Sequence, residues 1–230
     1  MKKTVKIDFI DFWDGFCKTD NIFFNSLAKK YDIEISKTPD YLFYSCFGYR
    51  FLDYNCIKIF YTGENISPDF NLCDYAIGFD FLDFGDRYLR YPQFLLTEYH
   101  DALQKTVNRM SVECVNAQKK FCNFLCSNGT EMSPRGDFFQ ALSKYKSVDS
   151  GGRYLNNIGK LVENKLLWQE EYKFSIAFEN SAYNGYVTEK IVEAFAAGTI
   201  PIYWGNPKIE EDFNQHAFIN CNNFNNFEAV

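Results

Sequence analysis

The chain has 230 residues, 47% of them hydrophobic, enough for one large domain or two small ones with a real core. A net charge of −6 excludes a general nucleic-acid binder, which needs a basic surface, and leaves room only for a local basic pocket. No apolar run approaches the length that spans a bilayer, and Asp8 and Asp11 interrupt the N-terminal segment, so it reads as a first strand and not as a signal peptide.

Taken in order, residues 4–10 form that strand, and 21–30 a short helix with Phe23, Phe24 and Leu27 turned inward. Residues 32–35, 41–45, 56–61 and 75–79 are short apolar runs, most of them bounded by Asp, Pro or Gly, and read as further strands. Residues 80–90 read as an aromatic, acidic loop, and 91–116 mix Pro92 with helical spacing and carry the chain out of the first domain. A new strand is expected over 121–126, a polar loop over 127–134, and a helix opened by Arg135. Residues 148–157, with Gly151 and Gly152 at their centre, look like the loosest piece, better explained as a flexible turn than as a phosphate loop. A helix over 161–171, a short helix over 207–213 and a last strand over 217–221 complete the pattern. Residues 227–230 read as the first turn of a helix that continues past Val230. Strands alternate with helices in both halves, which favours mostly parallel sheets in two domains, 1–118 and 119–230.

Residues 172–205 carry the densest signal. Residues 172–178 are β-branched and aromatic enough for a buried strand, 179–185 form a polar loop, 187–197 a helix stopped by Gly198, and 199–204 the next strand. Ligands of parallel sheets gather at the carboxyl ends of strands, beside helix N-termini whose free amides suit phosphate. At this junction stand Glu179, Asn180, Tyr183, Tyr186, Glu189 and Lys190. For an average helix, Glu189 and Lys190 would be plain surface charges; the crowding favours Lys190 as a phosphate counter-charge and Glu189 as an acceptor for sugar hydroxyls. Arg135 alone would be a solvated arginine, but a cation at a helix N-terminus asks for an anionic partner, and a pyrophosphate is one. Glu64 is read equally well as a turn acid or as a general base projecting from a strand end.

The eight cysteines sit mostly inside apolar segments and read as small buried hydrophobes in a reduced, cytoplasmic, metal-free protein. Cys122 and Cys126 are the closest pair, with no second pair or histidine cluster to complete a zinc site. Asp80, Asp83 and Asp86 lie three apart, so they do not form the Asp-x-Asp pair of metal-dependent sugar-nucleotide enzymes. No hydrolase triad and no Walker loop is present.

Phe178-Glu-Asn180, then 185–191 (Gly-Tyr-Val-Thr-Glu-Lys-Ile) and 199–205 (Thr-Ile-Pro-Ile-Tyr-Trp-Gly), resemble the signature of the α-1,3/α-1,4-fucosyltransferases. Residues 61–65, 74–80 and 86–90 are similar to bacterial members, of the kind that build Lewis-type antigens such as those on lipopolysaccharide O-antigen. The resemblance implies a GT-B fold, with two Rossmann-like domains facing each other across a cleft, the N-terminal one for acceptor and the C-terminal one for GDP-fucose. It implies inverting transfer, without metal or other cofactor, from GDP-β-L-fucose to the 3-hydroxyl of GlcNAc or glucose in lactose- or N-acetyllactosamine-type glycans. By position, Glu64 matches the family's general base, Arg135 and Lys190 its pyrophosphate cations, and Asn180, Tyr186 and Glu189 its donor-site residues. Bacterial members also imply a cytoplasmic protein, with peripheral contact at the inner membrane face through a C-terminal tail beyond Val230. Alternatives are a transferase using another sugar nucleotide, or a glycan-binding module without catalysis.

Overall fold

In the structure, a computed structural model, the described residues are 2–96, 99, 103, 119–129 and 134–230. Residues 104–118 and 130–133 lie outside them, and with them much of the 91–116 stretch, part of the polar loop before Arg135, and Cys114. His100 lies outside them as well. The chain divides into two compact units, Met1–Pro92 and Gln93–Val230.

The first unit is a six-stranded parallel sheet: β1 (Thr4–Ile10), β2 (Asp32–Ile35), β3 (Tyr41–Tyr44), β4 (Ile57–Tyr61), β5 (Tyr75–Gly78) and β6 (Tyr88–Arg90). Their order is β2-β1-β3-β4-β5-β6. Side-chain alternation sends successive residues to opposite faces. Ile10, Leu42, Tyr44 and Phe60 pack on one face with Phe51 and Tyr88. Ile7, Phe9 and Phe43 pack on the other with Phe23, Phe24 and Leu27 of α1 (Ile22–Ala28). Asn21 caps that helix by accepting from the Phe24 amide at 2.9 Å. The segment 80–90 is not all loop: its end pairs with β5 as β6, a strand too short for its alternation to show in sequence.

The second unit is a five-stranded parallel sheet of β7 (Lys120–Phe124), β8 (Val148–Ser150), β9 (Tyr172–Phe178), β10 (Ile200–Trp204) and β11 (Ile219–Asn220), ordered β11-β10-β9-β7-β8. Helix α2 (Arg135–Tyr145) covers one face, where Phe138 and Phe139 meet Phe124, Ile176 and Phe178. Helix α4 (Glu189–Ala196) covers the other, with Ile191, Val192 and Ala194 packed around Tyr203 and Ile209. Helix α3 (Lys165–Gln169) is shorter than expected. Asn164 caps it at the Leu167 amide, and Val162 is held off the helix by a bond to the Gly151 carbonyl. Residues 93–96, Tyr99 and Leu103 belong to this unit, where Phe94, Tyr99 and Leu103 pack against the α4 cluster. The first domain, expected to run to residue 118, therefore gives up its packing at Pro92.

Residues 148–157 are also tighter than expected. Val148–Ser150 is β8, paired in parallel with β7, and Gly152 lies so close to β7's exit that a Cβ there would stand 2.0 Å from the Cys126 carbonyl oxygen. Gly152 is thus a close-packing glycine, not a hinge of a flexible turn.

Candidate functional site in the second unit

In the second sheet the strand order reverses between β7 and β9, since β8 lies outside β7 and β10 outside β9. Such a switch point leaves a crevice at the carboxyl ends of the two strands, where the connections part to opposite faces. The pocket found there is walled by Phe124, Leu125, Cys126, Ile176 and Phe178, and Arg135, Lys165, Lys190, Glu193 and Gln169 supply its polar groups. Sequence expectation placed Arg135 and Lys190, which lie 55 positions apart, in one site, and the fold brings both to this pocket.

Arg135 begins α2 and is buried. Its guanidinium donates to the Asn180 side-chain oxygen at 2.5 Å, to the Cys126 sulfur at 3.1 Å and to the Asn128 carbonyl at 3.4 Å. These contacts fix the planar fork toward the pocket. Asn180, itself exposed, thus has a direct part in orienting Arg135.

Lys190 is organised by a carboxylate that the sequence reading placed at the junction without giving it a role. Glu179, at the end of β9, is fully buried. One of its oxygens accepts the Thr188 amide at 2.8 Å; the other accepts the Thr188 hydroxyl at 2.7 Å and the Lys190 ammonium at 3.2 Å. Lys190 also donates to the Thr188 hydroxyl at 2.7 Å and to Glu189 at 3.4 Å. This network explains why α4 begins at Glu189 and not at Val187, because Thr188 is held extended as its N-cap by Glu179. Gly205 is part of the same arrangement: a Cβ there would meet the Glu179 Cγ at 2.5 Å.

The charges respond as this geometry dictates. Burial opposes the Lys190 ammonium, but Glu179 and then Glu189 outweigh it and hold its pKa above the usual lysine value. Burial pushes the Glu189 carboxyl up, but Lys190, a backbone hydrogen bond and Lys165 together outweigh it and hold its pKa below the usual glutamate value. Glu193 differs: burial dominates and lifts its pKa despite Lys165. Tyr186 is buried beside Lys190 and adds to the field on it.

Three pocket residues had no sequence signal. Lys165 reaches Glu193 of α4 from the start of α3, and the Tyr99 hydroxyl donates to the other Glu193 oxygen at 3.3 Å. Gln169 is buried, with its amide nitrogen on Asn123 at 3.4 Å, and its carbonyl oxygen has no protein partner among the described residues. That oxygen can accept from a ligand N–H or O–H.

Glu64 belongs to the other unit. It follows β4, is exposed, and its amide donates to the Thr62 hydroxyl at 3.0 Å, while Cys46, following β3, contacts the same hydroxyl at 3.1 Å. Glu64 therefore stands at the carboxyl edge of the first sheet on a loop fixed by its neighbours. No three His, Cys, Asp or Glu side chains cluster as metal ligands among the described residues, and no described helix is long and apolar enough to cross a membrane.

Comparison with known proteins adds independent findings. Residues 7–97 match the profile of the α-(1,3)-fucosyltransferase FucT N-terminal domain, and residues 115–230 match the glycosyltransferase family 10 (fucosyltransferase) C-terminal profile. The chain is 37% identical to α-(1,3)-fucosyltransferase FucT of Helicobacter pylori, over 89% of this chain and 50% of that protein. It is 37% identical to α-(1,3)-fucosyltransferase B of Drosophila melanogaster over 46% of this chain and 27% of that one, so it spans about half or less of these relatives. A crystal structure of an α1,3-fucosyltransferase superposes with a TM-score of 0.84 at 33% identity, covering 99% of this chain and 76% of the other. One determined with GDP-fucose gives 0.82 at 33% identity, over 100% and 76%.

Proposed function

The chain belongs to glycosyltransferase family 10, the fucosyltransferases, with a GT-B-type fold of two parallel-sheet α/β domains, and we propose that it is an inverting α-1,3-fucosyltransferase using GDP-β-L-fucose. The observation that carries this reading is the convergence of Arg135 and Lys190 on one pocket at the switch point of the second sheet. Two fixed cations in a partly buried site suit a nucleoside diphosphate, and the leaving group of such a donor needs them.

In the proposed reaction the 3-hydroxyl oxygen of GlcNAc, or of glucose in lactose, attacks fucose C1 from the face opposite the diphosphate. The bond from C1 to the β-phosphate oxygen breaks, its electron pair leaves with GDP, and the sugar passes from β to α configuration. Glu64 takes the hydroxyl proton. Arg135 and Lys190 balance the charge that develops on the departing diphosphate, so the step runs without a metal. Asn180 holds the Arg135 fork, and Glu189 accepts from a ribose or fucose hydroxyl. Tyr186 closes the donor site beside Lys190. The acceptors are glycans ending in galactosyl-GlcNAc or lactose. The protein acts in the bacterial cytoplasm, at the inner membrane face where such glycans are assembled.

Incubation with GDP-fucose and N-acetyllactosamine, with and without EDTA, followed by NMR of the product, tests the proposal. An α-1,3-linked fucose formed equally in both samples is expected. Absence of any fucosylated product, or strict dependence on a divalent ion, overturns it.

A further inference from the structure

The donor pocket holds one cation for which neither sequence pattern nor the proposed reaction gives a use. Lys165 lines it together with Arg135 and Lys190, at the carboxyl edge of the sheet, and its side chain retains 30% exposure while its partner Glu193 retains 8%. Its charge also reaches Glu189. Glu193 lies four residues after Glu189 on α4, so both acids stand on one face of the helix, toward α3. Glu193 accepts from Lys165 with one oxygen and from Tyr99 with the other, which anchors the carboxylate and keeps the ammonium at the pocket wall.

The charges present favour a ligand over a strut. Among the described residues, Lys190 pairs with Glu179 and Glu189 and Lys165 with Glu193, while Arg135 donates to Asn180, Cys126 and the Asn128 carbonyl. Glu179 is committed by its bonds to Thr188 and has no exposed surface. An arriving diphosphate brings charge that two cations, each already shared with protein acceptors, meet only in part. Among the described residues, Lys165 is the pocket cation tethered by a single carboxylate. A buried ion pair is also a poor source of stability for its own sake, since desolvation offsets most of its attraction.

We infer that Lys165 is a third diphosphate-binding cation of the donor site, held at the pocket wall by Glu193 and Tyr99. This rests on the GDP-fucose reading above. Anion binding draws the ammonium from the carboxylate toward the phosphate, so Glu193 positions Lys165 and competes with the ligand for it. The two ends of the ion pair must then differ in sign when removed, whereas a strut linking α3 to α4 would lose equally from either end.

Titration calorimetry of the whole chain with GDP and with guanosine tests this on wild type, Lys165→Met, Lys165→Arg and Glu193→Gln. Loss of one charge-assisted contact should weaken GDP by about tenfold or more in Lys165→Met, with guanosine unchanged. Lys165→Arg should restore GDP affinity to within about threefold, and Glu193→Gln should bind GDP at least as tightly as wild type. The inference is overturned if Lys165→Met binds GDP like wild type, if guanosine weakens in parallel with GDP, or if Glu193→Gln loses affinity. If Lys165→Met does not fold, the Glu193→Gln and Lys165→Arg results decide alone by the same criteria. Wild type that binds no GDP would overturn the donor reading itself; wild type that binds GDP beside an unaffected Lys165→Met overturns only the role of Lys165.

Discussion

The carboxyl edges of the two sheets have the same topology and opposite chemistry. Both sheets are parallel, and both reverse strand order once, between β1 and β3 in the first and between β7 and β9 in the second. At the first edge the loops present aromatic rings: Trp13 and Phe47 are exposed and meet edge to face at 6.4 Å, with Glu64 the acid on the neighbouring loop. At the second edge, cations and buried carboxylates interlock around a pocket. A buried network is preorganised, and water screens its fixed charges less than it screens exposed ones. The same topology thus carries an exposed acid at one edge and clustered cations at the other, and under the proposed function these edge residues, not the fold, divide the chemistry.

The sharpest way to break this comparison is Glu64→Gln. If the first edge supplies only the base, turnover should fall by about 10²–10⁴ while GDP affinity stays at the wild-type value. A variant that keeps near-normal GDP release from GDP-fucose would remove Glu64 from the reaction. At the second edge, Glu179→Ala should be the costliest change, because it leaves Lys190 without its main counter-charge and Thr188 without its acceptor. A loss of about 3–5 kcal/mol in urea unfolding is expected, as for a buried ion pair cut on one side. Arg135→Ala should weaken GDP by roughly ten- to a hundredfold, since one charge-assisted contact is worth about 1.5–3 kcal/mol. Equal calorimetric affinity of variant and wild type would deny the second edge its anion. Gly152→Ala should cost about 1–3 kcal/mol of stability by forcing β8's exit away from Cys126, with unfolding midpoint as the readout.

The smallest effect expected is an absence. The raised pKa of Lys190 keeps its ammonium charged well above the ordinary lysine value, so its contribution is present below that value and is lost only as pH climbs through the higher one. GDP affinity, referenced to that of guanosine, should therefore show no alkaline loss between about pH 9 and 11, where an ordinary lysine discharges. A fall within that window would mean that Lys190 is not held by Glu179 and Glu189 as the structure has it.

Much of this was legible in the chain before any fold was known. β1, β2 and β9 have the predicted bounds, because their apolar runs are long or sharply bounded by polar residues. Arg135, Asn180, Tyr186, Glu189 and Lys190 were expected in one donor site from the resemblance, and the structure joins Arg135 to Asn180 and brings Arg135 and Lys190 to one pocket. What stayed hidden was of two kinds. β6 and β8 are three residues each, too short for alternation, and exist because a longer neighbour offers them hydrogen bonds. Glu179 was read as one more polar residue of a loop, because only the fold shows that it is fully buried under the start of α4.

The sequence by itself determined two alternating α/β halves, the strand–loop–helix unit of 172–205 and the residue types of the proposed anion site. Period, turn residues and composition are local properties, written in neighbouring positions. Only the tertiary structure decided that Lys165 should meet Glu193, 28 positions away, that Tyr99 should close on the same carboxylate, and that Gly152 should tolerate nothing larger. Those outcomes depend on which strand lies beside which, and the β8-β7-β9 order that creates the pocket is a long-range pairing that no local pattern encodes.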